Sequence, residues 1–183
     1  MSTGAVVVVI GGGARSGKSR FALARARALG ERRVFVATGQ ARDGEMERRI
    51  AQHRAERGDD FRTVEEPLDL ARALREQRRA DVVLVDCLTL WLSNLLLRGD
   101  DEAAIARAVR ELCDALAARP CHVVLVTNEV GLGIVPENAL ARTFRDVAGR
   151  AHQDLACIAD EAYVAILGHV LRLRPGPVEA VAP

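Results

Sequence analysis

The sequence predicts a three-layer α/β fold, a mostly parallel sheet between helical layers, with an antiparallel edge strand at the C-terminal end. Three observations carry that expectation. Short, β-branched, continuously apolar runs recur along the chain, the pattern of strands buried on both faces. Ala/Arg/Leu-rich stretches with helical spacing separate them, and such alternation builds a parallel sheet through crossover connections. The first run leads directly into a glycine-rich segment and then a helical stretch, the context of a phosphate-binding loop.

In order, Val6 to Ile10 reads as the first strand. Gly12-Gly13-Ala14-Arg15-Ser16-Gly17-Lys18-Ser19 satisfies G-x-x-x-x-G-K-[ST], and a helix is expected from Ser19 to Leu29. Glycines let the backbone wrap an anion, while N–H groups at the helix start point inward with the positive end of the helix dipole behind them. Lys18 would neutralise β/γ-phosphate charge and Ser19 would ligate Mg²⁺. A ligand-free glycine turn is the alternative, and the fit to the motif's strand and helix context argues against it. A Rossmann reading of Gly11-Gly12-Gly13 fails on spacing. The second strand, Val34 to Ala37, also ends in Thr38-Gly39-Gln40 with no acid for a ribose.

Met46, Ile50, His53 and Arg57 recur at spacings that share one stripe of a helix. A lone histidine is commonly a satisfied half-buried group. His53 differs because Arg48, Arg49, Arg54 and Arg57 surround it, and like charge keeps an imidazole neutral and able to attack phosphorus. Val82 to Val85 is the third strand, and Asp86 at its carboxyl end is placed to hold Mg²⁺ directly or through water, a helix cap being the alternative. Asn128-Glu129 follow the fourth strand, Val123 to Val126. One of them could orient a nucleophile or a metal-bound water, against a turn-forming role for the Asn. Arg142, Arg145 and Arg150 could clamp phosphates or a neighbouring subunit, with solvated helix charge as the default. His122, His152 and His169 read as structural. Val164 to Leu167 would turn at Gly168-His169 into Val170 to Leu173, after which Arg174-Pro175-Gly176-Pro177 is expected to end regular structure.

Composition narrows the function. With 183 residues, 49% of them hydrophobic, the chain fits one domain, 1–183, with a proper core. Lys and Arg total 26 against 25 Asp and Glu, so no global field attracts nucleic acid or anionic lipid, and any anion must be held locally. The longest apolar run, Ala5 to Ile10, falls far short of the roughly 20 residues of a membrane helix. It lacks the flanks of a secretory signal, so a cytoplasmic protein is expected. Four scattered cysteines, Cys87, Cys113, Cys121 and Cys157, have no C-x-x-C pair and read as reduced, mostly buried groups.

The phosphate loop, Ala37-Thr38, Glu45-Met46, Arg49-Ile50-x-x-His53-Arg54-x-x-Arg57, Val126-Thr-Asn-Glu-Val-Gly131 through Pro-Glu-Asn138, and Phe144-Arg-Asp146 together resemble one family, collinearly to about Tyr163. It is the bifunctional adenosylcobinamide kinase / adenosylcobinamide-phosphate guanylyltransferase family of cobalamin biosynthesis. The resemblance implies phosphorylation of the aminopropanol hydroxyl of adenosylcobinamide by a nucleoside triphosphate, ATP or GTP. Transfer of GMP from GTP to that phosphate follows, passing through a histidine that matches His53. It further implies a RecA-like P-loop fold, a trimer, and nucleotide contacts at the phosphate loop, Ala37, Thr38, Gly39, Arg54, Ala55, Glu56, Arg57, Glu65 and Asp86. Two positions depart from the family's pattern: Gly39 stands where Ser is expected, and His152 where Asn is. The rival readings are a single-function P-loop kinase without a covalent step, and a RecA-like ATPase module. One Trp, one Tyr and four Phe leave the latter few platforms for stacking nucleic acid bases.

Overall fold

The computed structural model describes residues 4–40 and 57–181, with Gly44, Arg48, Ala51 and Arg54 between them. Its strands are β1 (Val7–Gly12), β2 (Arg33–Ala37), β3 (Arg62–Glu65), β4 (Val82–Asp86), β5 (His122–Val126), β6 (Glu161–Ile166), β7 (His169–Arg174) and β8 (Glu179–Val181). The helices are α1 (Lys18–Leu29), α2 (Leu70–Glu76), α3 (Leu88–Arg98), α4 (Glu102–Ala117) and α5 (Ala139–Ile158). The strands form one sheet in the order β3-β2-β4-β5-β1-β6-β7-β8, parallel through β6 and antiparallel for β7 and β8.

The central strands are apolar through their middles, with polar residues such as Arg33, Asp86 and His122 only at their ends, because both faces are covered. Val7, Val9, Val83, Val85, Val123 and Leu125 face a core built with α2, α3, α4 and α5. Their alternates Val8, Ile10, Val82, Leu84, Val124 and Val126 face α1 through Phe21, Ala22, Leu23 and Ala26. Burying each large aliphatic side chain contributes roughly 1.5–3 kcal/mol. Trp91 is buried in the first core, and its indole N–H donates to the Leu68 carbonyl at 2.8 Å, so its polar atom is not stranded there.

Sequence and structure differ at three places in the sheet. β3 pairs along β2 although Arg62-Thr63-Val64-Glu65 has no apolar run, because an edge strand needs only one neighbour and can stay half exposed. The C-terminal turn is Leu167-Gly168, not Gly168-His169. Both residues have positive φ, 51° and 79°, as the two-residue turn of a twisted hairpin requires, and His169 is already the first residue of β7. Regular structure does not end at Pro177, because the Pro-Gly-Pro turn redirects the chain into β8, a short, mostly exposed edge strand paired with β7. The four cysteines are free, but only Cys87 and Cys121 are buried, and Cys157 is exposed.

Candidate active site

The carboxyl ends of the parallel strands bring three of the predicted site residues into one row. Cross-strand partners run Tyr163–Ile10–Val126–Asp86–Ala37–Glu65, so Asp86, Ala37 and Glu65 share a level at the top of the sheet. Side chains in register on parallel strands point to the same face, here the face that carries α1 and the phosphate loop.

The loop from Gly12 to Ser19 is built around two backbone requirements. Gly12 has φ +155°, and a Cβ on it would lie 2.5 Å from the Ala165 carbonyl oxygen and 2.8 Å from Ser16 Oγ. Gly17, at φ +92°, closes the loop onto α1. Helices α2, α4 and α5 are capped by Asp69, Asp101 and Asn138, whose side chains accept first-turn N–H groups. α1, like α3, starts without a side-chain cap and without an acid in its first turn, but only α1 follows a glycine loop. Its N–H groups and the positive end of its dipole are therefore left for an anion. The Ser16 hydroxyl is buried without a hydrogen-bond partner, one more donor at the same loop.

Lys18 is buried, and its Nζ donates to the Gly13 carbonyl at 3.0 Å. Burial pulls its pKa below the ordinary lysine value, while Asp86 and the neighbouring Cys87 oppose the shift. Ser19 stands one residue beyond Lys18 on α1.

Thr38 works from inside. It is fully buried, and its hydroxyl accepts from the Cys87 N–H and donates to the Cys87 carbonyl, each at 2.8 Å. Its own N–H donates to Asp86 O, and its carbonyl accepts from Asn94 Nδ2 at 2.8 Å. Every polar group of Thr38 is used in clamping the end of β2 to its surroundings, chiefly to the residue after Asp86. Thr38→Val, which keeps the shape and strands the Cys87 groups, is expected to lower stability by about 1–3 kcal/mol in urea unfolding. An unchanged midpoint would show that the clamp contributes nothing.

The arginines divide. Arg57 is buried, its guanidinium stacked 3.7 Å from the centre of the Phe35 ring and donating to Thr63 Oγ1, and burial and Arg54 lower its pKa. Arg54 pairs with Glu65 at 3.3 Å on the surface, which brings together two residues predicted for the site. His53, Ala55 and Glu56, with Met46 and Ile50 of the same stripe, lie outside the described residues. Arg142 donates to the Pro136 and Glu137 carbonyls, Arg145 to Gly131 O, and Arg150 pairs with Glu102, so all three serve their own chain. Asn128 donates to Thr89 Oγ1 at 3.1 Å. His122 accepts from the Val6 N–H, a structural role as expected.

One pair was not legible beforehand. Thr127, buried at the end of β5, places its Oγ1 2.6 Å from His152 Nε2 on α5. No motif joins residues 25 apart on different elements, and the only signal was a histidine in place of the pattern's Asn.

A family model described as cobinamide kinase / cobinamide phosphate guanyltransferase matches residues 8–173. The chain belongs to this family. Among curated relatives, the bifunctional adenosylcobalamin biosynthesis protein CobP of Pseudomonas aeruginosa is 46% identical over 91% of this chain and 96% of its own length. CobU of Escherichia coli is 40% identical over 92% of this chain and all of its own. Solved structures extend the fold beyond the family. A solved ATPase domain superposes with a TM-score of 0.57 at 15% identity, covering 96% of this chain and 80% of that one. The flagellar accessory protein FlaH of Methanocaldococcus jannaschii gives 0.53 at 12% identity, covering 97% and 90%. The fold is that of RecA-like P-loop ATPases, and the enzyme is a bifunctional transferase of the cobinamide kinase / cobinamide phosphate guanyltransferase family, with a nucleotide among its substrates. No described helix is long and apolar enough to cross a membrane.

Proposed function

We propose that the enzyme phosphorylates the aminopropanol hydroxyl of adenosylcobinamide with a nucleoside triphosphate, then moves GMP from GTP onto that phosphate through a guanylyl group on His53. The observation that carries the reading is the uncapped α1 behind a glycine loop, with a buried Lys18 at its first residue and Asp86 at the carboxyl end of β4 opposing the burial that lowers the lysine's pKa. That arrangement concentrates positive charge where a triphosphate's negative charge grows as a bond to phosphorus breaks.

In the kinase step the hydroxyl oxygen attacks the γ-phosphorus, the bond to the bridging oxygen breaks, and the nucleoside diphosphate leaves. In the first half of the second reaction a His53 ring nitrogen attacks the α-phosphorus of GTP and pyrophosphate leaves. In the second half a phosphate oxygen of adenosylcobinamide phosphate attacks that phosphorus and the imidazole is released, giving adenosylcobinamide-GDP. Splitting the transfer replaces one difficult displacement by two easier ones. Support for a cationic His53 segment at this end comes from its described neighbours: Arg54 reaches Glu65 in the row of strand ends, and Arg57 is stacked on Phe35 of β2. Ser19 and Asp86, one hydroxyl and one carboxylate beside Lys18, suit Mg²⁺, which takes few protein ligands and completes its shell with phosphate oxygens and water. Bound there, the ion would neutralise phosphate charge; among the described residues no group of three acidic, His or Cys side chains offers a fuller cage.

The test is incubation with Mg²⁺ and GTP labelled at the α-phosphorus, followed by denaturation. Label that survives base and is released by acid is the expected result, since a phosphoramidate behaves so. Absence of label from folded, GTP-binding protein would replace this reading by a single-function P-loop kinase.

A further inference from the structure

We infer that His152 is a positioning residue for the phosphate loop, acting through Thr127 and Glu129 to hold the segment after β5 against Gly12. The chain of contacts is continuous. His152 Nε2 lies 2.6 Å from Thr127 Oγ1, and Nδ1 lies 3.9 Å from Glu129 Oε2. Glu129 also accepts the Gly131 N–H through Oε1 at 2.5 Å, and Arg145, two turns earlier on α5, donates to Gly131 O at 2.8 Å. α5 therefore grips residues 127–131 at two points.

That segment in turn touches the loop. The Thr127 N–H donates to Ile10 O at 3.0 Å and the Glu129 N–H to Gly12 O at 3.1 Å. Gly12 is the residue whose conformation tolerates no side chain, so its carbonyl direction sets how the following N–H groups face a phosphate. Burial lowers the imidazole's pKa below its ordinary value, with the nearby Glu129 carboxylate working the other way. A proton on Nδ1, towards that carboxylate, leaves Nε2 to accept the Thr127 O–H. Thr127 is buried, and without His152 its hydroxyl would lose this partner and the segment its tie to the middle of α5.

The inference rests on the phosphate loop as the seat of the nucleotide. It is tested by measuring dissociation constants for a fluorescent GTP analogue, and KM for each substrate in both reactions. His152→Ala is expected to weaken the analogue about tenfold and to raise the nucleotide KM equally in both reactions, because the loop is shared, leaving the corrinoid KM unchanged. His152→Gln, whose amide reaches the Nε2 position, is expected to stay within about twofold of wild type. Leu155→Ala, which opens a cavity in the same helix without touching the segment, is expected to lower the Tm and leave nucleotide binding alone. Should His152→Ala fail to fold, Thr127→Val breaks the same bond from the other side with the same expectation. Unchanged binding in folded His152→Ala, no rescue by Gln, or equal weakening by Leu155→Ala overturns the proposal. Lys18→Ala run in parallel separates the two levels: if it too leaves binding unchanged, the phosphate-loop reading falls and takes this inference with it.

Discussion

Lys18→Ala is expected to remove both activities together, by at least about a thousandfold in each, with the fold intact. The lysine is buried at the mouth of the loop, and its ammonium brings a full positive charge to the first residue of α1. Losing a donor aimed at developing charge in a water-poor site costs about 10²–10³ in rate, and a full charge costs more than a neutral donor. The protein should not unfold, because the hydrogen bond that Nζ makes is to the carbonyl of Gly13, an exposed residue of the same loop. Parallel assays of phosphate and GMP transfer, with circular dichroism as the control, check this. A variant that lost one activity and kept the other would show that the reactions use different phosphate sites.

His53→Ala is expected to do the opposite and separate the reactions. On the proposed mechanism the kinase step needs no covalent nucleophile, so phosphorylation should stay within about twofold of wild type. GMP transfer should fall by roughly 10⁴ or more, the scale on which enzymes lose a nucleophile while keeping charge stabilisation. The residual rate would be direct attack of the acceptor phosphate on GTP, helped by Lys18 and α1. Steady-state assays of each half-reaction decide it. Undiminished GMP transfer would remove His53 from the chemistry, and loss of both activities would make it a binding residue for the common triphosphate.

The phosphate loop was legible because all its information is local: a strand, two glycines with demanding backbone angles, and a lysine at a helix start. Asp86 was legible for a similar reason, as a carboxylate terminating an apolar strand. β3 was not, because an edge strand of Arg-Thr-Val-Glu loses little by exposure and so carries no apolar signature. β8 hid behind two prolines. The Thr127–His152 bond, the Thr38 clamp on Cys87 and the stacking of Arg57 on Phe35 are all contacts between elements distant in sequence. Spacing along the chain says nothing about such pairs, since only the order of strands in the sheet decides who meets whom.

That order has a consequence of its own. β5 lies between β1, which feeds the phosphate loop, and β4, which ends in Asp86, so the two strands that carry loop and carboxylate run two interstrand steps apart, roughly 9.6 Å at about 4.8 Å per step. The spacing of those strand ends is thereby a property of peptide hydrogen bonding and not of any side chain. Substitution can alter what the strand ends carry but not their spacing, which only gaining or losing a whole strand would change. A scaffold so dimensioned can keep its grip on a triphosphate while the loops around it are rewritten for a new acceptor.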